Sequence, residues 1–387
     1  MYILRLLEEE LKKSFDTSKV LLLLGARQVG KTTLVEHALS ERRGALLNMD
    51  IEVDRARFVA AAQLAPQDAI RALGGEDVLV IDEAHRVADV GRICKGWYDA
   101  HVTTKIILLG SSSATLLDTA AAELTGRNEK LWLTPLLFRE TLAQQTWFTP
   151  AYTATELHTH FDSQIRSSLL NRLVFGSYPE AFLSSDPSQY LTNLTSDYLL
   201  KDIFTASLVR SPEDIRRLLL ELAKEIGNTV SVLQLATRLN ISRQTVQKYL
   251  DLLEAIFVIF SLPAYATDPI KEITKTRKYY FWDTGVKNAL QREWVVSDKR
   301  SDIDTLWENW VMAEIWKQGR TYNRQEDLFF WQSRNDSTVD LVVKQGNKLY
   351  PFDIHFNSDE KRPSRSFINT YNIVPTLIHP GTILTVI

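Results

Sequence analysis

Val20-Leu-Leu-Leu-Leu24 runs directly into Gly25-Ala26-Arg27-Gln28-Val29-Gly30-Lys31-Thr32-Thr33, and this junction decides how the first third of the chain is read. Consecutive apolar residues fit a parallel strand buried on both faces. The next stretch matches G-x-x-x-x-G-K-[ST], and Thr33–Leu39 continues as a plausible helix. Strand, glycine loop and helix together predict a phosphate-binding loop rather than an ordinary glycine turn. Gly25 and Gly30 let the backbone wrap so that its N–H groups and the helix N-terminus point at phosphate oxygens. Lys31 can then reach the β- and γ-phosphates, and the Thr32 hydroxyl is placed to ligate Mg²⁺. The nine residues Gly25 to Thr33 are the expected contacts for ATP.

Two further apolar runs end in polar residues where a parallel sheet binds its ligands. Val78–Ile81 leads into Asp82-Glu83-Ala84-His85. Downstream of a glycine loop this pair predicts Asp82 holding Mg²⁺ through water and Glu83 polarising the attacking water. His85 could act beside them or simply cap and pack. Lys105–Leu109 leads into Gly110-Ser111-Ser112-Ser113, and Ser111 is the candidate sensor of the γ-phosphate. The same serines could equally cap the following helix. Leu124-Thr125-Gly126-Arg127 then precedes Lys130–Leu133, expected as the last strand of the sheet. Arg127 is a candidate finger, offered to the γ-phosphate in cis or from a neighbouring subunit; the plain alternative is a salt-bridged surface arginine.

The whole chain sets outer bounds. Its 387 residues allow two or three domains, and 45% hydrophobic with 24% charged residues excludes a disordered or fibrous class. A formal charge of −3 argues against a whole-surface grip on nucleic acid and leaves room for a local basic face. The single cysteine, Cys94, excludes an internal disulfide framework and a cysteine-rich zinc site, which suits a reducing compartment such as the cytoplasm. The opening MYILRLLEEELKK reads as an amphipathic helix, not a signal peptide, and no apolar run is long enough to span a bilayer. The pair His158 and His160 lies in a polar stretch without a cysteine partner and reads as surface rather than as a metal site.

In the middle, Val232–Leu239 and Arg243–Ala255 carry apolar residues at helical spacing, separated by a turn through Asn240-Ile241 and capped by Ser242. That is helix-turn-helix spacing. The second helix would expose Arg243, Gln244, Gln247 and Lys248, which suit phosphate and base-edge contact. Glu254–Tyr265 would supply wing strands. DNA is therefore an expected partner, although such segments also act as lids or protein-contact surfaces.

GARQVGKTTL, VIDEAH, LLGSSSATL, LTGR followed by Pro135-Leu-Leu-Phe138-Arg-Glu140, and GSYPEAF at Gly176–Phe182 occur in this order. Over nearly the whole chain they resemble a prokaryotic AAA-type ATPase family. Its members follow the ATPase module with a winged-helix segment and a C-terminal domain of unknown function that looks like PD-(D/E)xK nucleases. The resemblance implies an α/β fold: a P-loop NTPase parallel sheet of AAA type flanked by helices, then an α-helical and winged-helix region and a small α/β nuclease-like domain. It divides the chain into an ATPase core at 1–143, a helical lid or linker at 144–225, a winged helix at 226–276 and the nuclease-like domain at 277–387. It also implies that Arg127 serves the nucleotide site. Tyr178-Pro179-Glu180 reads as a structural turn.

For the last domain, the resemblance places metal-binding acids at Glu314, Asp340 and Asp353, but His355 stands where the family carries lysine, which argues against cleavage. Adenine is expected over guanine from the resemblance and from the lack of an N-K-x-D motif. The expectation is an ATPase with Mg²⁺, acting on DNA through domain motion as a homo-oligomer. A regulatory NTPase switch controlling a protein partner and an ATP-gated nuclease are the alternatives.

Overall fold

The computed structural model describes residues 2–40, 42–110, 120–198, 211–266, 277–324, 326–333, 337–357 and 363–387. They fall into two compact units. The first comprises residues up to Thr134 with Ala255–Phe257 and Arg320–Asn323; the second comprises Pro135–Glu254, Val258–Gly319 and Arg324–Ile387.

The first unit is built on five parallel strands: β1 (Val20–Leu24), β2 (Gly44–Asn48), β3 (Val78–Asp82), β4 (Lys105–Gly110) and β5 (Asn128–Trp132), in the order β2-β3-β4-β1-β5. The central strands β1, β3 and β4 are buried along their full length, while β2 and β5 at the edges are half exposed. This is why the central runs are nearly all Val, Leu and Ile. Apart from Asp82 and Gly110 at the strand ends, the exception is Lys105, which is buried with its ammonium held by Glu129 (2.6 Å) and the Lys19 carbonyl (2.7 Å). Described helices of this unit are α1 (Glu8–Ser14), α2 (Lys31–Ala38), α3 (Glu52–Ala61), α4 (Pro66–Leu73) and α5 (Val90–Asp99). The last strand begins two residues earlier than its apolar run suggests. The N-terminal stretch also differs from expectation. Its helix starts at Glu8 after a turn in which the Glu8 amide donates to the Arg5 carbonyl (3.1 Å), and the residues up to Arg5 are not helical, with Ile3 and Arg5 buried and Leu4 between them exposed.

The second unit begins with α6 (Phe138–Leu142), α7 (Ala154–Phe175) and α8 (Pro212–Lys224). A short strand β6 (Thr229–Val230) then precedes α9 (Val232–Leu239) and α10 (Arg243–Ala255), whose final residue belongs to the first unit. Ser242 Oγ accepts from the Thr245 amide and caps α10, as its sequence suggests. Only Ile259–Leu262 of the expected wing forms a strand, β7; it pairs with β8 (Arg277–Phe281), and β8 also pairs with β6, giving an antiparallel sheet β6-β8-β7. After α11 (Thr284–Gln291) and α12 (Ile303–Thr321) come β9 (Asp327–Gln332), β10 (Thr338–Gln345), β11 (Lys348–Ile354), α13 (Arg365–Tyr371) and β12 (Thr376–Ile378). Their sheet runs β12-β11-β10-β9, with β11 and β12 parallel and the other pairs antiparallel. Phe329, Trp331, Val339, Val342 and Phe367 form its core against α13.

The GSYPEAF turn has a packing explanation. Asp283 is buried, caps α11 by accepting from the Val286 amide (3.2 Å), and accepts from the Ser177 amide (2.6 Å). Gly176 has φ +64°, and a Cβ there would stand 1.8 Å from Asp283 Oδ1. Arg172, also buried, donates to the Gly176 carbonyl (2.9 Å), and Asn288 Nδ2 donates to the carbonyls of Leu173 and Val174. The C-terminus of α7 and the N-terminus of α11 are thus locked by a hydrogen-bonded contact with no room for a side chain. Gly176→Ala is expected to destabilise the second unit by roughly 2 kcal/mol or more, from overpacking and left-handed backbone strain. Chemical unfolding would measure this; a wild-type midpoint would contradict it.

Candidate nucleotide site

The loop between β1 and α2 is shaped by its backbone. Gln28 and Gly30 take positive φ values of 63° and 91°, so the chain reverses twice before α2 begins at Lys31. Gly25 is required for a different reason: a Cβ there would meet the Leu133 carbonyl oxygen at 2.0 Å. Leu133 is drawn that close because its own amide donates to the Leu24 carbonyl (2.7 Å), prolonging the β1–β5 ladder. Ala26 and Val29 are buried and anchor the loop, Arg27, Gln28 and Thr32 are half-buried, and Thr33 is exposed. Lys31 folds back along the loop, its ammonium donating to the carbonyls of Gly25 (3.0 Å) and Ala26 (3.0 Å).

The end of β3 meets this loop. Thr32 Oγ1 donates to Asp82 Oδ2 at 2.7 Å, and the other carboxylate oxygen accepts from the Glu83 amide at 2.8 Å. A hydroxyl and a carboxylate side by side, next to a lysine and a ring of amides, are hard oxygen donors of the kind Mg²⁺ takes, so the residues fit that ion. Glu83 itself sits in the left-handed region (φ 50°, ψ 42°), a strained conformation for a residue with a side chain. Burial pushes its carboxyl above the usual range, with Lys31 and Arg27 opposing and Asp82 adding to the rise. His85 Nδ1 lies 3.3 Å from Glu83 Oε2. The turn is tied to the end of β2, where Met49 donates its amide to the Asp82 carbonyl (3.0 Å) and Asp50 pairs with Arg86 (2.9 Å).

The structure thus brings Gly25, Gly30, Lys31, Thr32, Asp82 and Glu83 together at the C-terminal edge of the sheet. It does not bring Arg127 there. The Val20 amide donates to the Arg127 carbonyl, and β1 and β5 run in register from Val20–Asn128 to Leu24–Trp132. Arg127 therefore lies at the opposite edge, about 13 Å of strand away, at ~3.3 Å per residue. Its Nε donates to Asp99 (2.7 Å). In its own chain Arg127 thus stands apart from the loop, paired with an acid at the other edge of the sheet. Ser111 lies outside the described residues.

The acid set expected in the C-terminal domain is not assembled. Glu314 is buried, pairs with Lys317 and accepts from the Phe138 amide (2.9 Å), while Lys317 donates to the Leu136 carbonyl (2.8 Å). It holds the segment around α6. Asp340 accepts from the Ile354 amide (2.8 Å), bracing β11. The α12 acid on that side is Glu308, which accepts from the Tyr280 hydroxyl (2.7 Å); burial and then the charges of Glu308 and Asp340 push that phenol well above its ordinary range. Among the described residues no group of three or more His, Cys, Asp or Glu is arranged to hold a metal ion, and no helix is long and apolar enough to cross a membrane.

Sequence reading missed Arg5, which reaches into the loop from the N-terminal segment. The signal was present: Arg5 is in step with the buried Ile3 and Leu7. It also missed Trp132, at the end of β5 beside Leu24, with the Arg320 guanidinium 4.6 Å over its ring.

A five-stranded parallel sheet with this loop after β1 and an Asp-Glu pair after β3 defines the fold of an AAA-type P-loop ATPase. Comparison with known proteins agrees. A family model described as AAA domain matches residues 17–142, and two described as Domain of unknown function match 166–295 (DUF8612) and 304–385 (DUF4143). An uncharacterized protein of Mycobacterium tuberculosis is 24% identical over 381 residues, covering 96% of this chain and 78% of its own length. An uncharacterized protein of Methanocaldococcus jannaschii is 21% identical over 371 residues, covering 92% and 79%. Among solved structures, a Walker-type ATPase of Pyrococcus abyssi is similar with a TM-score of 0.53 and 17% identity, over 74% of this chain and 94% of that one. These likenesses support a nucleotide-binding protein of the P-loop ATPase class.

Because the Leu133 carbonyl occupies the space a side chain would need, Gly25→Ala is expected to weaken ATP binding about tenfold or more. Fluorescent-nucleotide titration would read this, and an unchanged affinity would mean the loop does not need the close approach.

Proposed function

We propose that this chain hydrolyses ATP at the β1–α2 loop, with Mg²⁺ held by Thr32 and, through water, by Asp82. The observation that carries the reading is the 2.7 Å pairing of Thr32 with Asp82, beside Lys31 and with Glu83 next in sequence. The amides of the loop bind the phosphates, and Lys31 exchanges its two carbonyl partners for phosphate oxygens. The ion, when bound, neutralises charge between the β- and γ-phosphates. Glu83 takes a proton from water as that water attacks the γ-phosphorus; the bond to the β-phosphate oxygen breaks, and ADP and phosphate leave. His85 is placed to orient the Glu83 carboxylate.

Arg127, at the far edge of the sheet, serves the site of a neighbouring copy in this reading, which makes the active form a homo-oligomer. The nucleotide cycle then moves the second unit, in which the lid, winged-helix and nuclease-like divisions read from sequence are its functional parts, with no cleavage chemistry assigned to it. Arg243, Gln244, Gln247 and Lys248 are exposed along one stretch of α10, which supports DNA as the substrate of that motion.

Glu83→Gln is expected to retain ATP affinity and to lower kcat by about 10²- to 10⁴-fold. Hydrolysis at the wild-type rate would remove Glu83 as the base. Mixing Glu83→Gln with Arg127→Ala chains should restore part of the activity that each has lost, and a mixture no more active than its components would contradict a finger acting between copies. Duplex DNA should stimulate the wild-type ATPase, and Arg243→Glu with Lys248→Glu should abolish the stimulation while sparing basal turnover. Stimulation that survives this double change would place the DNA contact elsewhere.

A further inference from the structure

Arg5 is a charged side chain only 6% exposed. Its guanidinium forks between two main-chain carbonyls: Nη1 donates to Val29 in the phosphate-binding loop (2.9 Å), and Nη2 donates to Thr134 just beyond β5 (2.6 Å). Burying an arginine on neutral carbonyls is costly unless both ends of the fork are satisfied, so the arrangement fixes three pieces of chain against one another.

The consequence for the site comes from peptide geometry. The Val29–Gly30 bond is trans, as are all peptide bonds among the described residues, and in a trans peptide the C=O and N–H point in opposite directions. Holding the Val29 carbonyl on Arg5 therefore turns the Gly30 amide the other way, toward the side where the helix N-terminus faces the phosphate. Gly30, with φ +91° and no Cβ, would otherwise allow this peptide to flip at small cost. Arg5 itself is held from both sides. Tyr2 stacks on His37 of α2 (3.8 Å between centroids) and its hydroxyl donates to Glu8 (2.6 Å), while Glu8 also meets His37 (3.2 Å) and Lys12 (2.8 Å). The extended segment is thereby fastened to the helix that the loop begins.

We infer that Arg5 is a positioning residue of the nucleotide site: it orients the Val29–Gly30 peptide so that the Gly30 amide faces the phosphate, and it fastens that peptide to Thr134. Thr134 is the residue before Pro135, where the chain passes to the second unit. A shift of the loop on nucleotide binding is thus delivered directly to the exit of the ATPase unit. The inference rests on the proposed ATP site.

The test measures ATP·Mg²⁺ affinity and nucleotide-free thermal stability for wild type, Arg5→Ala and Arg5→Lys, with and without added millimolar guanidinium. Arg5→Ala is expected to bind ATP about tenfold or more weakly. Arg5→Lys should be weakened too, because one ammonium cannot span both carbonyls in the planar fork. Guanidinium should restore affinity to Arg5→Ala and leave wild type unchanged. Should Arg5→Ala fail to fold, Arg5→Lys alone decides, and wild-type affinity in it overturns the inference. Affinity equal to wild type in a folded Arg5→Ala overturns it as well, as does a loss that guanidinium does not repair and that merely follows a fall in melting temperature. A wild-type protein that binds no ATP would instead defeat the nucleotide site itself, with the Arg5 variants then indistinguishable from it.

Discussion

The hydrogen bond from Thr32 to Asp82 joins positions 50 residues apart and is the contact on which the site depends. It exists because β1 and β3 run parallel on either side of β4, so that the start of α2 and the end of β3 reach the same edge of the sheet. That coincidence of strand ends is what brings the loop and the Asp82-Glu83 turn together. In the proposed reaction the loop offers amides to the phosphates, Lys31 offers charge, and Asp82 with Thr32 offers oxygens to a cation. Glu83 is pressed into a strained turn immediately beside them. Two close approaches hold the loop in this shape: the Leu133 carbonyl over Gly25, and the Arg5 fork under Val29.

The second unit is organised by a different device, buried polar groups that fasten backbone to backbone. Asp283 ties the Gly176–Ser177 turn to α11, Asn288 ties the end of α7, and Glu314 with Lys317 ties the segment around α6. Such groups are costly to bury and are stable only when every partner is in place. They account for several of the motifs that stand out in the sequence, including LLFRE at 136–140 and GSYPEAF, as junctions rather than reactive centres.

How far the fold and site could be read from the sequence follows from the range of the interactions involved. The strands β1, β3 and β4 and the loop after β1 were legible because continuous apolar runs and glycine spacing are local signals. Asp82 and Glu83 were legible because they end such a run. Arg127 was identified as a residue but not as a place: only the strand register, which no local pattern encodes, sets it at the opposite edge from Lys31. Arg5 was hidden by a misjudged period, since Ile3-Leu4-Arg5-Leu6-Leu7 satisfies a helical stripe as readily as an alternating strand. Glu314 falls in a metal set only by the family resemblance; Lys317, one helical turn on, is a local partner, whereas Phe138 becomes visible only when α6 is folded against α12. The pairing of β8 with β6 across α9 and α10 was likewise beyond reach, being a non-local ladder of few residues.

In the proposed function the main-chain amides between Gly25 and Lys31 cradle a triphosphate, with Lys31 and a hydrated cation sharing its charge. Isothermal titration of the folded protein with ATP tests it most directly, run with Mg²⁺, with EDTA, and on a Lys31→Ala chain. One site per chain is expected, tighter with Mg²⁺ than without, with the signal lost in Lys31→Ala. Heat that is absent from the folded wild type, or that is the same in Lys31→Ala, would contradict it.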